Sequence, residues 1–437
     1  SLFNMHWLVT ELFALRGKEA KDYFTYSRKK TICNYFWQDG SSFSLNADTT
    51  IFIKEASAFF KEDEGTLRNY LNQNRKKYER TRTLFLEKSL HKGSTYFSLD
   101  TLKALLSIPS LGITQSLDNH NKRTFSNEKL IQLFNRYATY NGSSPYKTPG
   151  IMSMIPHLEM DLGTYFPTGG MHRITSSIYQ LAKDVGVAFK FGQPVSRILT
   201  KAGKVIGIRA DGHDFNADMV VTNMDVYPTY KKLLPQEPFT KKTLEQERSS
   251  SALIFYWGIS KTFPQLDLHN IFFSDDYKTE FDFLFNQKKI YKDPTVYINI
   301  SSKENPDDAP KGHENWFVMI NAPGNYDQNW EKFRSEAKTN ILRKLGTILQ
   351  TDIETHITTE FVLDPLGIEE NTSSYRGALY GASSNSRFSA FLRHPNFSQR
   401  LKNLYFCGGS VHPGGGIPLC LLSAKIVSDL IPNPKIA

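Results

Sequence analysis

Hydrophobic and polar positions repeat with two different periods along this chain of 437 residues. Apolar residues three and four apart predict amphipathic helices over residues 1–15, 54–92 (with a polar break at 62–65), 99–108 and 126–137. A turn at 166–170 leads into a further helix that ends at Gly186. Short apolar runs, some with period-two alternation, predict strands over 187–191, 195–199, 205–210 and 219–222.

The remaining pattern predicts more strands than helices. An Asp-Gly pair at residues 39–40 indicates a hairpin between strands at 31–37 and 43–45. Further strands are predicted over 252–259, 295–300, 316–321 and 357–363, and one helix is marked by Trp330, Phe333, Ala337, Ile341 and Leu345. Antiparallel strands rich in aromatic residues are suited to lining an apolar tunnel.

A strand, a glycine-rich loop and a helix follow each other directly near the C-terminus, over residues 403–431. The loop, residues 408–418, holds five glycines and two prolines, so few side chains keep a flat ligand away. Amide groups at the start of the following helix attract a diphosphate or an electron-rich ring edge. The same pattern also fits an ordinary buried turn between a strand and a helix.

Composition describes a globular protein with a basic balance. Hydrophobic residues make up 40% and charged residues 22% of the chain, and the net charge is +9. The sequence shows no zinc-finger, helix-turn-helix or RNA-reading motif, so we expect an anionic membrane surface and no nucleic acid as the partner. The three cysteines have no paired spacing, which favours a reducing cytoplasm and no metal site: Cys33, Cys407 and Cys420.

Any contact with a membrane is expected to be peripheral. The sequence contains no run of 18 apolar residues and does not begin with the pattern of a signal peptide. The helical region over 54–92 combines an apolar stripe with basic residues on its other side: Arg75, Lys76, Lys77, Arg80 and Arg82. This basic side is either a solvated helix face or a surface that meets lipid phosphates.

The motif NLYFCGGSVHPGGGIP, followed two residues later by LLSAK, resembles the C-terminal motif of the bacterial-type phytoene and carotenoid desaturases. These enzymes form a branch of the flavin amine oxidase superfamily. The resemblance implies an α/β (mixed α+β) fold with a Rossmann-like FAD-binding domain of the amine oxidase (GR2) type. It also implies a substrate domain with an antiparallel sheet and a helical membrane-associating subdomain. The corresponding ranges are 1–50, 160–230 and 390–437 for the flavin domain, 51–150 for the helical subdomain and 231–389 for the substrate domain.

The same resemblance implies FAD as the cofactor and names residues that approach it. Gly408 and Gly409 are expected near the diphosphate and ribityl chain, while the ring is expected near Gly415, Gly416, Ile417 and Pro418. The succession PTGGM, PVSRI and a hairpin is similar to another flavin-domain segment, in which the backbone of Val195 faces adenine. By its residue type alone, Val195 also fits a core position. Residues 1–15 resemble the family segment that follows an opening βαβ unit with GxGxxG, and this unit is missing from the sequence, so we expect the chain to match a desaturase without that unit.

The resemblance implies the removal of two hydrogens from a polyene, one as a hydride to flavin N5 and one as a proton. Conjugation stabilises the intermediate, so a weak base suffices. His412 is the first candidate base, with Arg173 and Glu159 after it. A lone histidine in a glycine turn also fits a loop residue held by hydrogen bonds.

Within the family, residues 33–40 and 377–385 look most like the 1-hydroxycarotenoid 3,4-desaturases. The expected substrate is therefore a long carotenoid, taken from lipid at the cytoplasmic face of a membrane. A phytoene-type or C30 desaturase, an isomerase or saturase on the same fold, and a non-catalytic lipid-binding remnant remain alternatives.

Overall fold

The computed structural model describes residues 2–97, 111–238, 244–386 and 392–432. In chain order, the main helices are α1 (Trp7–Ala14), α2 (Thr49–Phe60), α3 (Glu64–Phe85), α4 (Leu117–Thr124), α5 (Glu128–Asn135), α6 (Ile155–Met160), α7 (His172–Asp184), α8 (Tyr277–Asp282), α9 (Trp330–Leu349), α10 (Pro365–Thr372) and α11 (Ile417–Leu430). The strands are β1 (Tyr26–Arg28), β2 (Thr31–Phe36), β3 (Ser42–Asn46), β4 (Tyr165–Pro167), β5 (Val195–Lys201), β6 (Lys204–Ala210), β7 (His213–Asn216), β8 (Val220–Thr222), β9 (Ser251–Ile259), β10 (His269–Phe272), β11 (Val296–Asn299), β12 (Glu314–Ala322), β13 (Ile357–Leu363) and β14 (Leu404–Phe406).

The largest sheet has seven strands in the order β13-β9-β12-β11-β10-β2-β3. Strands β10 and β2 pair in parallel, and the other neighbours pair antiparallel. The hairpin β2–β3 therefore extends the sheet formed mainly by strands from the predicted substrate domain, residues 231–389. The division of the chain into three domains, with residues 1–50 in the flavin domain, stays a prediction.

The two faces of this sheet pack in different hydrophobic cores. Tyr35 on β2 packs with the helices α2, α3 and α5, whereas its neighbour Phe36 packs on the side of α9 with Trp257 and Ile341. Successive strand residues point to opposite faces, so one strand contributes to both layers. The sheet thus separates a helical layer on one side from α9 on the other.

Three smaller sheets complete the fold around the glycine-rich loop. Strand β14 pairs in parallel with β8, the strands β5, β6 and β7 form an antiparallel sheet, and β1 pairs with β4. The side chain of Ile198 on β5 packs in one core with Phe406 and Val411. This core fixes the small antiparallel sheet against the start of the loop.

Most predicted elements are confirmed, and their ends follow from capping. The helix predicted over 126–137 begins after Asn127, whose side chain accepts hydrogen bonds from the amides of Lys129 and Leu130. The hairpin at the Asp-Gly turn, the helix α9 and the strands β5, β6, β8, β9, β11, β12 and β13 all form as predicted. The amphipathic helix predicted over 99–108 lies outside the described residues.

The strand predicted over 187–191 is wrong. This segment pairs with no strand in the described part of the chain, and its apolar residues are largely exposed, with 74% of Phe191 accessible. The rings of Phe189 and Phe191 rest on Tyr179 of α7. Alternation alone does not make a strand where no partner supplies the ladder hydrogen bonds.

Lys77 also departs from the sequence analysis, which placed it on the basic side of its helix. The side chain is buried and donates a hydrogen bond of 2.8 Å to Ser153 Oγ, with Nζ 3.2 Å from His120 Nε2. Position 77 follows Tyr70 and Asn74 at helical spacing, so it shares their inward face. Burial lowers the pKa of Lys77 to about 8.

Candidate functional site

The glycine-rich loop joins β14 to α11 and requires glycine at several points. Gly408 and Gly416 have φ +100°, and Gly414 has φ +141°. Residues with a Cβ rarely adopt these angles, so the backbone of the loop requires glycine at these three positions. A Cβ at Gly416 would meet no atom within 4 Å, which leaves open space at the start of α11.

The first turn of α11 presents unsatisfied amide groups toward this space. Its N-cap residue is Gly416, no side chain caps it, and the first turn contains no acidic residue. Pro418 lies in that turn, where its missing N–H costs no helical hydrogen bond. A 14-residue helix with uncapped amides attracts negative or electron-rich groups. Together with the open space at Gly416, this arrangement fits the edge of a flavin.

Tyr380 closes the other side of the loop. A Cβ at Gly415 would lie 2.7 Å from Tyr380 Cδ1, and a Cβ at Gly142 would lie 2.8 Å from Tyr380 Cδ2. The ring is therefore wedged between two glycines from distant parts of the sequence. Gly409 packs on the same loop, since its Cβ would lie 3.3 Å from the Cα of Gly415.

Arg393 places a positive charge beside the loop. Its side chain is buried, and Nη1 donates hydrogen bonds to the carbonyls of Tyr380 (2.6 Å) and Gly409 (3.3 Å). Burial lowers the pKa of Arg393 to about 10, which still keeps the guanidinium protonated at neutral pH. A buried cation at this place complements an anionic group such as a diphosphate or a reduced ring.

His412 is buried within the loop, and its side chain is held through Nε2. Nε2 lies 2.9 Å from the carbonyl of Lys88, and because a carbonyl only accepts, Nε2 carries the proton and donates. The lone pair of the neutral ring is then at Nδ1. Burial lowers the pKa of His412 to about 4, so the ring is neutral at physiological pH. The carbonyl of His412 accepts a hydrogen bond of 2.7 Å from Asn396 Nδ2.

Two other predicted residues lie outside the loop. Val195 begins β5, pairs with Ala210 and is 37% exposed, so it is not a core valine. Its backbone role toward adenine stays a prediction. Arg173 lies on α7 with an exposed side chain near Gly169.

Glu159, the third candidate base, belongs to a different group of residues on the helix-facing side of the large sheet. Its Oε1 accepts hydrogen bonds from Arg136 Nη2 (2.9 Å) and from the Tyr137 hydroxyl (2.8 Å). Arg136 Nη2 also donates to the Tyr35 hydroxyl at 2.6 Å. We call these residues, together with Tyr140, the buried polar cluster.

The guanidinium of Arg136 is enclosed by aromatic rings. Its Cζ lies 4.4 Å from the ring centroid of Tyr137, 5.3 Å from that of Tyr35 and 5.5 Å from that of Tyr140. Burial and the neighbouring Glu159 carboxylate raise the pKa of Tyr137 well above its usual range. The cluster therefore holds one fixed positive and one fixed negative charge inside an aromatic core.

The structure thus brings most of the predicted residues together and separates Glu159, Arg173 and Val195 from them. Gly408, Gly409, Gly415, Gly416, Ile417, Pro418 and His412 form one loop, whereas Glu159 joins the buried polar cluster and Arg173 joins neither. Sequence reasoning missed Tyr380, Arg393 and Arg136. A charged residue inside the apolar run IQLFNRYATY was a signal that could have identified Arg136.

Within the described ranges, no group of three or more histidine, cysteine, aspartate or glutamate side chains is placed to hold a metal ion. None of the helices in those ranges is long and apolar enough to cross a membrane.

Comparison with known proteins gives a consistent match along the chain. The sequence profile described as flavin containing amine oxidoreductase matches residues 4–432. A protein named 1-hydroxycarotenoid 3,4-desaturase from Flavobacterium sp. (strain P99-3) is 61% identical over 433 residues, covering 99% of this chain and 88% of that protein. A 4,4'-diaponeurosporene oxygenase from Staphylococcus aureus (strain MSSA476) is 32% identical over 448 residues, covering 99% and 87%.

Solved structures support the fold. The cyclohexylamine oxidase from Brevibacterium oxydans IH-35A aligns with a TM-score of 0.55 at 14% sequence identity, covering 98% of this chain and 87% of that one. At this identity the likeness concerns the fold alone. The predicted α/β fold of the amine oxidase type is confirmed.

Proposed function

The chain belongs to the family of flavin-containing amine oxidoreductases, and from this premise we propose that it is an FAD-dependent desaturase of a carotenoid that carries a hydroxyl group at C1. The reaction introduces the double bond between C3 and C4. The observation that carries this proposal is the 61% identity to a protein named 1-hydroxycarotenoid 3,4-desaturase over 99% of the chain.

The glycine-rich loop supports the cofactor part of the proposal. Gly408, Gly409 and the first turn of α11 would hold the flavin through backbone contacts, and the cation of Arg393 would favour its negative groups. When bound, flavin supplies the acceptor for the hydride that leaves the substrate. Val195 would contact adenine through its backbone.

The proton that leaves the polyene needs only a weak acceptor, because the conjugated chain spreads the positive charge. We assign this role to Nδ1 of His412, whose Nε2 is held by the Lys88 carbonyl. A pKa of about 4 makes it a weak base, which is sufficient for an acidic carbon next to a delocalised cation. Arg173 is exposed and Glu159 is already paired with Arg136, so both are less suited to this step.

Peripheral contact with the cytoplasmic face of a membrane completes the proposal, since a carotenoid is dissolved in lipid. Arg75, Lys76 and Arg80 are exposed on one side of α3. Phe97 follows this region and is 91% exposed. Exposed basic residues and an exposed aromatic ring each favour binding at an anionic lipid surface. The three cysteines carry free thiols, in keeping with a reducing compartment.

The decisive experiment expresses the complete gene in bacteria that accumulate a C1-hydroxylated acyclic carotenoid with a single bond between C3 and C4. We expect a product two mass units lighter, with its absorption shifted to longer wavelength by one added double bond. Purified protein should show the absorbance of bound flavin.

Each alternative gives a different result. An isomerase leaves the substrate mass unchanged, a saturase increases it by two units, and a lipid-binding remnant shows neither flavin absorbance nor conversion. A phytoene-type or C30 desaturase converts the non-hydroxylated precursors instead. Any of these results would contradict the proposal.

A further inference from the structure

The buried polar cluster contains polar atoms that have no partner within the described residues. Arg136 Nε, Glu159 Oε2 and the Tyr140 hydroxyl are each shielded from solvent and make no hydrogen bond. Arg136 is 5% exposed and Glu159 is 1% exposed. Burying such atoms without partners is costly, so their presence demands an explanation.

The unpartnered atoms form a complementary set. Nε and Nη2 share one edge of the guanidinium; Nη2 bonds to Glu159 Oε1, while Nε and Oε2 remain unbonded. Nε–H is a donor and the carboxylate oxygen is an acceptor. An alcohol both accepts and donates one hydrogen bond and can therefore satisfy both atoms together.

The ion pair of Arg136 and Glu159 is neutral as a whole, so a neutral group that both donates and accepts a hydrogen bond suits it better than a further charged group. The aromatic rings of Tyr35, Tyr137 and Tyr140 surround the guanidinium, so the atoms around the pair are largely apolar. A neutral hydroxyl at the end of an apolar chain matches both features.

The cluster is connected to the glycine-rich loop through a short turn. Arg136–Asn141 form a 3-10 helix that ends at Gly142, and Gly142 packs on the ring of Tyr380, which packs on Gly415. Six residues at about 2 Å of rise span roughly 12 Å, and the side chains of Arg136 and Tyr140 occupy part of that span. The cluster therefore lies one short 3-10 helix away from the segment that packs on the proposed flavin-binding loop.

We infer that Arg136 and Glu159, assisted by Tyr140, bind the C1 hydroxyl of the substrate and thereby determine both the choice of carotenoid and the bond that is desaturated. This inference rests on the proposed function. In a C1-hydroxylated carotenoid the hydroxyl is attached two carbons from C3, so fixing the oxygen also fixes the C3–C4 bond. A substrate without the hydroxyl leaves Arg136 Nε and Glu159 Oε2 without a hydrogen bond, which disfavours its binding.

The test is a competition between two substrates in one reaction. A C1-hydroxylated carotenoid and the same polyene with hydrogen at C1 are mixed, and the two products are quantified by mass. The ratio of the two kcat/KM values is independent of how much enzyme is folded. We expect the wild-type enzyme to favour the hydroxylated substrate, and Glu159→Gln and Arg136→Lys to reduce this preference roughly 10- to 100-fold.

Tyr140→Phe distinguishes substrate binding from a structural role, because it removes a hydroxyl that has no partner among the described residues. A purely structural role predicts no change in the product ratio and an unchanged or higher Tm. We expect an unchanged or higher Tm together with a reduced preference for the hydroxylated substrate. The matched control is Glu314→Gln, which alters a buried carboxylate paired with Lys303 on the other face of the sheet and should leave the ratio unchanged.

Two outcomes would overturn the inference in distinguishable ways. If the wild-type enzyme prefers the hydroxylated carotenoid and all three cluster variants keep that preference, the cluster does not bind the hydroxyl and the proposed function stands. If the wild-type enzyme converts neither carotenoid although flavin is bound, the proposed function fails, and the inference fails with it.

Discussion

The ring of Tyr380 lies directly against the backbone of Gly415, so a single added carbon at Gly415 would approach Tyr380 Cδ1 to 2.7 Å. The same carbon would lie 3.0 Å from the Tyr380 Cα, which cannot move by side-chain rotation. This contact fixes the middle of the glycine-rich loop to the segment after β13. It shows that one glycine of the GGG run is needed for close packing and its neighbour Gly416 for its positive φ.

Gly415→Ala should therefore displace Tyr380 and distort the flavin-binding loop. We expect a loss of about 1–3 kcal/mol in the free energy of unfolding, together with a lower flavin content per protein. Urea denaturation and the ratio of flavin to protein absorbance measure the two effects. Gly93→Ala is the control, because a Cβ at Gly93 meets no atom within 4 Å. If Gly415→Ala and Gly93→Ala have the same free energy of unfolding and the same flavin content, the contact with Tyr380 is dispensable.

The ion pair of Arg136 and Glu159 should be strongly coupled in stability. Removing one partner leaves the other charge buried, so Arg136→Met or Glu159→Leu alone should each cost about 3–5 kcal/mol. The double variant should be less destabilised than the sum, because no uncompensated charge remains. A double-mutant cycle by urea denaturation measures the coupling.

The exposed pair Lys425–Asp429 provides the comparison for that cycle. Both side chains are more than half exposed, so its coupling should stay below about 1 kcal/mol. Simple additivity at Arg136 and Glu159 would contradict the paired arrangement.

Glu280 should make the stability depend on pH. Burial is the main cause that raises the pKa of Glu280 to about 7, and the nearby Asp293 also raises it. Hydrogen bonds from Thr295 and the charge of Lys344 lower this pKa but do not offset the effect of burial. Because the folded protein holds this proton more tightly than the unfolded chain, the contribution of Glu280 to stability is greatest at low pH. The contribution of this group is lost as pH rises from about 4.5 to about 7, on the order of 3 kcal/mol in total.

Glu280→Gln should remove this dependence. The free energy of unfolding of both proteins is measured between pH 4.5 and 8. We expect the variant to become more stable relative to wild type as pH rises. Glu314→Gln serves as a control for the loss of a buried carboxylate. Parallel curves for Glu280→Gln and wild type would show that Glu280 titrates as it does in the unfolded chain.

His412→Gln tests the proposed proton acceptor. Glutamine preserves polar character near the Lys88 carbonyl but offers no comparable base, so we expect kcat to fall roughly 100-fold or more while flavin remains bound. Turnover and the flavin spectrum are measured on the same preparation. His213→Gln, at an exposed strand end, should match wild type. Undiminished turnover in His412→Gln would assign the proton to another group.

The basic side of α3 should control binding to lipid vesicles. Replacing Arg75, Lys76 and Arg80 by glutamine should weaken co-sedimentation with anionic vesicles by about 1 kcal/mol per residue, and added salt should weaken wild-type binding in the same direction. The control replaces three exposed cations elsewhere: Lys311, Lys332 and Arg343. If both triple variants bind alike, net charge and not this surface governs the attachment.

The sequence by itself determined the local structure and the family. Helical spacing, the Asp-Gly turn and the Asn127 cap are interactions between near neighbours, so they can be read from the order of residues. The glycine-rich motif belongs to the same class, because positive φ at Gly408, Gly414 and Gly416 is a local backbone requirement.

Only the tertiary structure decided which distant residues meet. The parallel pairing of β2 with β10 and the packing of Tyr380 between Gly142 and Gly415 depend on contacts between residues far apart in the sequence. The missing partner of residues 187–191 depends on the absence of such a contact among the described residues. Glu159 could be named from the sequence, but its pairing with Arg136 and the unbonded atoms between them could not. Burial determines whether a charge is solvated or paired, and burial is a property of the packed chain.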